Sequence, residues 1–246
     1  MIHLLLLLAL GAPAHAEKPA QTLTEQYEHG LKLLKRGYYV KALEEFNQIR
    51  IYHRDDPLSV KAELAIADVY FKKGDWDQAR LSYDDFARMH PRYPDMDYVY
   101  YRMGSCLVEK APKAAGRDQT WTWQAVNVWS DFNRRFPQST YQPEVAEFLA
   151  EATERLAKKE LLIAEFYEHR AAWPAVEGRA KGLVEDWPES SYVPDALGLW
   201  ARSLAWQGRE DEALAVAEKL QVRDAAEGSK LLHELESIKL EPPKKR

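Results

Sequence analysis

Five small residues set a ruler along this chain. Ala42, Ala79, Ala125, Val176 and Ala213 are separated by 37, 46, 51 and 37 positions. Each lies in a segment whose apolar residues recur at three and four, the period of an amphipathic helix, and each follows a second segment of the same kind. Strictly alternating β-branched runs are absent, and Gly and Pro fall where helices would start and stop. One helix pair cannot bury its own apolar face, so a chain that repeats such pairs is constrained to stack them.

The second pair shows the pattern most fully. Ala67 is small where two helices would cross, and Tyr70 follows it. Gly74 ends the first helix, and Asp75 and Trp76 open the second. Ala79, Tyr83 and Phe86 form an inward stripe, and Pro91 stops it. The first pair offers Gly30, Gly37, Tyr39, Ala42, Phe46 and Ile49 at matching offsets. The fourth offers Ala164, Tyr167, Trp173, Val176, Ala180, Leu183 and Pro188. The last has Ala201, Gly208 and Ala213, with Glu210 and Ala217 where aromatics are expected, as in a degenerate terminal repeat. The two intervals of 37 lie close to the ~34-residue tetratricopeptide period. The predicted fold class is therefore all-α: a tetratricopeptide-repeat superhelix, or α-solenoid, of about five helix-turn-helix repeats. In this architecture a small residue on the first helix admits a large ring from the second.

Two departures interrupt the register. The third repeat carries an insertion from Glu109 to Arg117, between a helix containing Gly104 and Cys106 and a second helix starting near Asp118. Loops of this kind often carry contacts. A long glycine-free helical pattern then runs from about Pro143 to Arg170. At ~1.5 Å per residue it predicts a helix roughly 40 Å long joining the front and back halves. Asp56 before Pro57 reads as an N-cap with proline at the first helical position.

The N-terminus reads as a secretory leader. Leu4 to Leu10 is an unbroken apolar run, too short for the ~20 residues of a membrane span. Ala14-His15-Ala16 supplies a small-x-small cleavage pattern, although no Lys or Arg precedes the run. The expected organisation is a cleaved signal peptide over 1–16 and N-terminal repeats 1–3 over 17–139. The long helix and repeats 4–5 follow over 140–223, then a short helix and flexible basic tail over 224–246. No other apolar run reaches membrane length.

Composition removes several kinds of chemistry. A net charge of −5 argues against a nucleic-acid binder, which usually carries a basic excess. A single cysteine, Cys106, excludes a disulfide framework or a thiolate zinc cluster within one chain, and it reads as a buried inert thiol. The seven histidines show no pairing at three or four residues, and no phosphate-cradling glycine loop or His-Glu-x-x-His motif is present. No catalytic residue, cofactor or metal is expected. What remains is binding: the first helices of stacked pairs line a concave face, here expected to include Tyr27, Leu31, Leu34, Leu64, Asp68 and Phe71, continued by Tyr98 and Tyr101. Aromatic side chains with a few polar groups suit an extended apolar-aromatic peptide.

Several stretches narrow the reading further: His90 to Gly104; Arg117-Asp118-Gln119 with Ser130-Asp131-Phe132; Phe136 to Tyr141; and Leu156 to Trp173 followed by Arg179. Through them, roughly from Leu23 to Leu220, the chain resembles the BamD family of outer-membrane assembly lipoproteins, also called the ComL or YfiO type. The resemblance implies five repeats and a non-enzymatic adaptor on the periplasmic, inner face of the outer membrane. It implies that the N-terminal repeats receive the C-terminal signal of unfolded β-barrel clients. It implies that the C-terminal repeats dock a POTRA domain of the barrel-forming subunit BamA, alongside other accessory proteins of that machinery. Arg179 matches a family arginine near that docking region, and Glu165, Tyr167, Arg170 and Trp173 match its neighbourhood; Phe136 and Pro137 match a structural turn. The family is normally anchored by a lipidated cysteine just after the leader, and residues 9 to 22 contain none. The expectation is membrane contact through partners, or a periplasmic paralogue with another task. The alternative function is another periplasmic tetratricopeptide scaffold, organising cell-envelope or peptidoglycan enzymes.

Overall fold

The computed structural model describes residues 22–240, and every regular element among them is a helix. The expected signal peptide, 1–16, and the basic tail, 241–246, lie outside the described residues. The chain divides into two compact units, Met1–Lys73 and Gly74–Arg246. The functional division expected near residue 139 falls inside the second of these.

The first unit holds α1 (Leu23–Lys35), α2 (Tyr39–Tyr52) and α3 (Pro57–Lys73). Thr22 starts α1 with a reciprocal cap: its hydroxyl accepts from the Glu25 amide at 3.2 Å, and the Glu25 carboxylate accepts from the Thr22 amide at 2.8 Å. Phe46 lies so close to Gly30 that a Cβ there would sit 2.7 Å from its ring. Ala42, Phe46, Ile49, Ala62, Ala65 and Val69 form the core, with Tyr27, Leu34 and Tyr70 packed against it. Asp56 accepts a hydrogen bond from the Leu58 amide at 2.8 Å ahead of Pro57, which bears out the predicted cap.

The second unit holds α4 (Trp76–Met89), α5 (Met96–Lys110), α6 (Thr120–Trp129), the one-turn α7 (Phe132–Arg135), α8 (Gln142–Glu168), α9 (Trp173–Asp186), α10 (Val193–Trp206), α11 (Glu210–Arg223) and α12 (Ala225–Leu240). Apart from the one-turn α7, successive helices of this unit pack against one another, α8 taking the place of a first helix against α9. The predicted long helix is therefore present, with 27 residues and Pro143 in its first turn; Arg170 lies just past its end. The apolar clusters of this unit include Tyr101, Trp129, Phe132 and Val145 around the third repeat, and a larger one from Ala157 through α9, α10 and α11 to Leu231 and Leu235 of α12.

All five ruler residues are buried, none more than 1% exposed. A second ruler runs on the first helices. Gly30 precedes Phe46 by sixteen residues, and the same interval separates the buried pairs Ala67 and Tyr83, Ala164 and Ala180, and Ala201 and Ala217. Gly104 precedes Trp129 by twenty-five, nine more, which is the length of the insertion. A methyl group on Gly104 would overlap the Trp129 indole, so the third repeat keeps its crossing despite the added loop.

The corner between the helices of a repeat sits five residues before the ruler residue. Gly37, Gly74 and Gly208 occupy it with φ of 78°, 81° and 77°. In the fourth repeat Ala171 stands there with φ 51°, the one non-glycine residue of positive φ among those described. The amides that close the corner match: Tyr38 to the Leu33 carbonyl at 2.9 Å, Arg209 to Leu204 at 3.0 Å and Ala172 to Tyr167 at 3.1 Å.

Candidate functional site

The described residues contain no group of His, Cys, Asp and Glu able to hold a metal ion. Cys106 is fully buried, and burial pushes its thiol up to about 12 against the opposing pull of Arg102 and Arg80. The thiolate form that a nucleophile needs is thus suppressed at neutral pH. No described helix is long and apolar enough to cross a membrane.

The residues expected on the concave face separate when their surroundings are read one by one. In the first unit Leu31 is 41% exposed and lies between Tyr27 and Leu34, one turn to either side. Tyr27 and Leu34 are half-buried because both also pack on the core, Tyr27 with its ring centroid 5.6 Å from that of Phe46. Asp68 and Phe71 are half-buried on α3. Leu64 is buried at 8% exposure and offers a ligand almost no surface, which corrects its expected place in the groove. In the second unit Tyr98 is half-buried, with the Arg102 guanidinium 5.1 Å from its ring centroid.

Tyr101 is a second correction. Its ring is stacked between Tyr141, at 4.3 Å, and Trp129, at 6.0 Å, and its hydroxyl donates to Glu144 at 2.6 Å. Burial first, and the Glu144 carboxylate second, hold the phenol above the usual tyrosine range. It is a tie between α5 and the start of α8 and not a groove residue.

The five residues expected at the docking surface all belong to the second unit but do not make one patch. Glu165 and Tyr167 are two apart on α8, a rotation of about 200°, and face different ways. Glu165 lines a cavity of about 310 Å³ shared with Glu168, Arg202, Asp195 and Lys230. Tyr167 and Arg179 line a separate cleft of about 470 Å³. Arg179 is exposed and donates from Nη1 to Glu160 Oε2 at 2.8 Å. Arg170 lies over the exposed Phe166 ring, 3.6 Å from its centroid. Trp173 is half-buried, stacked on Trp206 at 5.5 Å and packed on the larger core cluster.

Sequence reasoning missed the rest of the larger cleft: Trp123, Glu160, Ala175, Gly178, Gly182, Asp186 and Trp187. The available signal was the glycine pair, one turn apart inside a helix. It also missed Gln119, the fully buried pin of the insertion. The Gln119 amide donates to the Ala114 carbonyl at 2.9 Å and its carbonyl accepts from Thr122 at 2.6 Å, folding the loop back on the start of α6. Phe136 takes part in the predicted turn, its carbonyl accepting from Ser139 and from the Gln142 side chain.

Comparison with known proteins gives the chain its relatives. It is 23% identical over 209 residues to the outer membrane protein assembly factor BamD of Neisseria gonorrhoeae, covering 79% of this chain and 78% of that protein. It is 27% identical over 180 residues to the protein of the same name from Xylella fastidiosa, covering 70% of this chain and 62% of the relative. Among solved structures it is similar to the TPR2AB domain of yeast Sti1 in its pHSP90 complex. There the TM-score is 0.43 and the identity 16%, with 82% of this chain and 78% of that one covered. These relatives are named for assembly and not for catalysis. The family described as outer membrane lipoprotein, YfiO, matches residues 19–220, and the chain belongs to it.

Proposed function

We propose that this protein is a non-enzymatic factor in the assembly of outer-membrane β-barrel proteins. It would work in the periplasm at the inner face of the outer membrane. The observation that carries the reading is the family match across residues 19–220. Two kinds of contact follow from it. The exposed side of α1 and α3 in the first unit, centred on Leu31 with Tyr27, Leu34, Asp68 and Phe71, receives the extended terminus of an unfolded client. An apolar stripe with one carboxylate suits a segment of alternating apolar residues better than a charged one. The charged side of the second unit, with Arg170 and Arg179 exposed, docks the periplasmic POTRA domain of a BamA-like barrel subunit.

Affinity purification of the tagged protein from native envelopes tests the reading. Recovery of the barrel-forming subunit and its accessory proteins is expected. Recovery of peptidoglycan enzymes in their place would establish the alternative scaffold.

A further inference from the structure

The cleft of about 470 Å³ between α6, α8 and α9 lies wholly within the second unit. One wall is aromatic: Trp123 is 42% exposed, and its ring centroid lies 5.8 Å from that of Trp187, with the planes inclined by 46°. Tyr167 contributes a third ring to the lining. The floor is the backbone of α9 at Gly178 and Gly182. A Cβ on either glycine would meet nothing within 4 Å, so no internal contact requires them to be glycine. Glycine is unfavourable inside a helix, and here it leaves backbone open to an approaching chain.

The charge of the lining selects among occupants. Two carboxylates, Glu160 and Asp186, and one guanidinium, Arg179, line the cleft, and Arg179 already bonds to Glu160. Asp186 is the last residue of α9, where the helix dipole opposes a carboxylate, and no basic residue occupies that last turn. The remaining carboxylate therefore shares the lining with an exposed indole, Trp123, and a half-buried one, Trp187. A neutral aromatic ligand would leave the carboxylate unused, and an anion would meet like charge. A planar cation uses both features, stacking on the rings and forking to the carboxylate.

The geometry points to a binding site for an arginine side chain presented by an extended peptide segment of a partner protein. The guanidinium lies over Trp123 and Trp187 and bonds to Asp186, while the peptide backbone runs along Gly178 and Gly182. This goes beyond the docking reading above and stands whether or not Arg179 meets a periplasmic domain.

The test is a titration of the isotope-labelled full chain, following the indole N–H resonances. The probes are a short Gly/Ser peptide carrying one arginine and the same peptide carrying citrulline, which keeps the shape and removes the charge. Saturable shifts of the Trp123 and Trp187 signals are expected with the arginine peptide, and roughly tenfold weaker binding with citrulline. Asp186→Asn is expected to weaken the arginine peptide by roughly tenfold. Gly182→Leu fills the floor and favours the helix, so it is expected to abolish binding while leaving the melting temperature unchanged or raised. Equal response to both peptides, no saturable shift at either indole, or full binding by a folded Gly182→Leu variant would each overturn the site.

Discussion

Ala171 holds a left-handed backbone conformation that its three counterparts, Gly37, Gly74 and Gly208, adopt without a side chain. An L-residue pays for that geometry with a close approach of Cβ to its own carbonyl, and glycine does not. Ala171→Gly should stabilise the protein by about 0.5–1 kcal/mol after allowing for glycine's greater freedom when unfolded. A higher melting temperature checks it; a lower one would show that the corner is set by its surroundings. The opposite holds at Gly104, where Trp129 fills the space a methyl group would take. Gly104→Ala should cost about 2 kcal/mol through overpacking, read as a lower denaturation midpoint with a change in the tryptophan near-ultraviolet signal. The glycine corners were legible in the sequence because glycine announces positive φ. Ala171 was not, because an alanine carries no such mark and only the five-residue offset from Val176 betrays it.

At the level of elements, the ties between helices decide which side chains are available. Tyr101 looks like a groove residue by register, yet its hydroxyl bonds to Glu144, forty-three positions away. No local pattern could have found that partner, since it depends on how the insertion and α7 bring α8 back over α5. The repeats themselves were readable because small residues and rings recur at fixed offsets. The face each ring presents was not, because it depends on neighbours from other elements. The tie has a pH signature. Tyr101 is held above its ordinary value of 10.0, so its contribution to stability is complete below that value and is lost as pH rises through the folded one. The Tyr101 part of the stability should be level to about pH 10 and then fall, on top of a decline that the raised Cys106 thiol begins at lower pH. Tyr101→Phe should be less stable at pH 8 and show a shallower alkaline decline, both measurable by urea titration. The insertion has a comparable anchor in Gln119. Gln119→Ala should leave the Thr122 hydroxyl and the Ala114 carbonyl without this partner, at a cost of about 2 kcal/mol. Its local mark would be faster amide exchange between residues 111 and 119.

For the whole molecule, the proposed docking rests on charge exposed on a repetitive scaffold of net charge −5. Arg179 is exposed and donates from Nη1 to Glu160. Arg179→Glu should weaken capture of a POTRA-bearing partner by roughly threefold to tenfold at low salt, with the difference shrinking as salt is added. Unchanged capture at low salt would remove Arg179 from the contact. The long helix bears on a different property. Its first half packs into the cluster of Tyr101, Trp129 and Phe132, and its second half carries Ala157, Leu161 and Ala164 into the larger one. Stacked repeats interact with neighbours alone and can melt piecemeal; a continuous rod shared by two cores makes them fail together, and it carries a displacement at one end rigidly to the other.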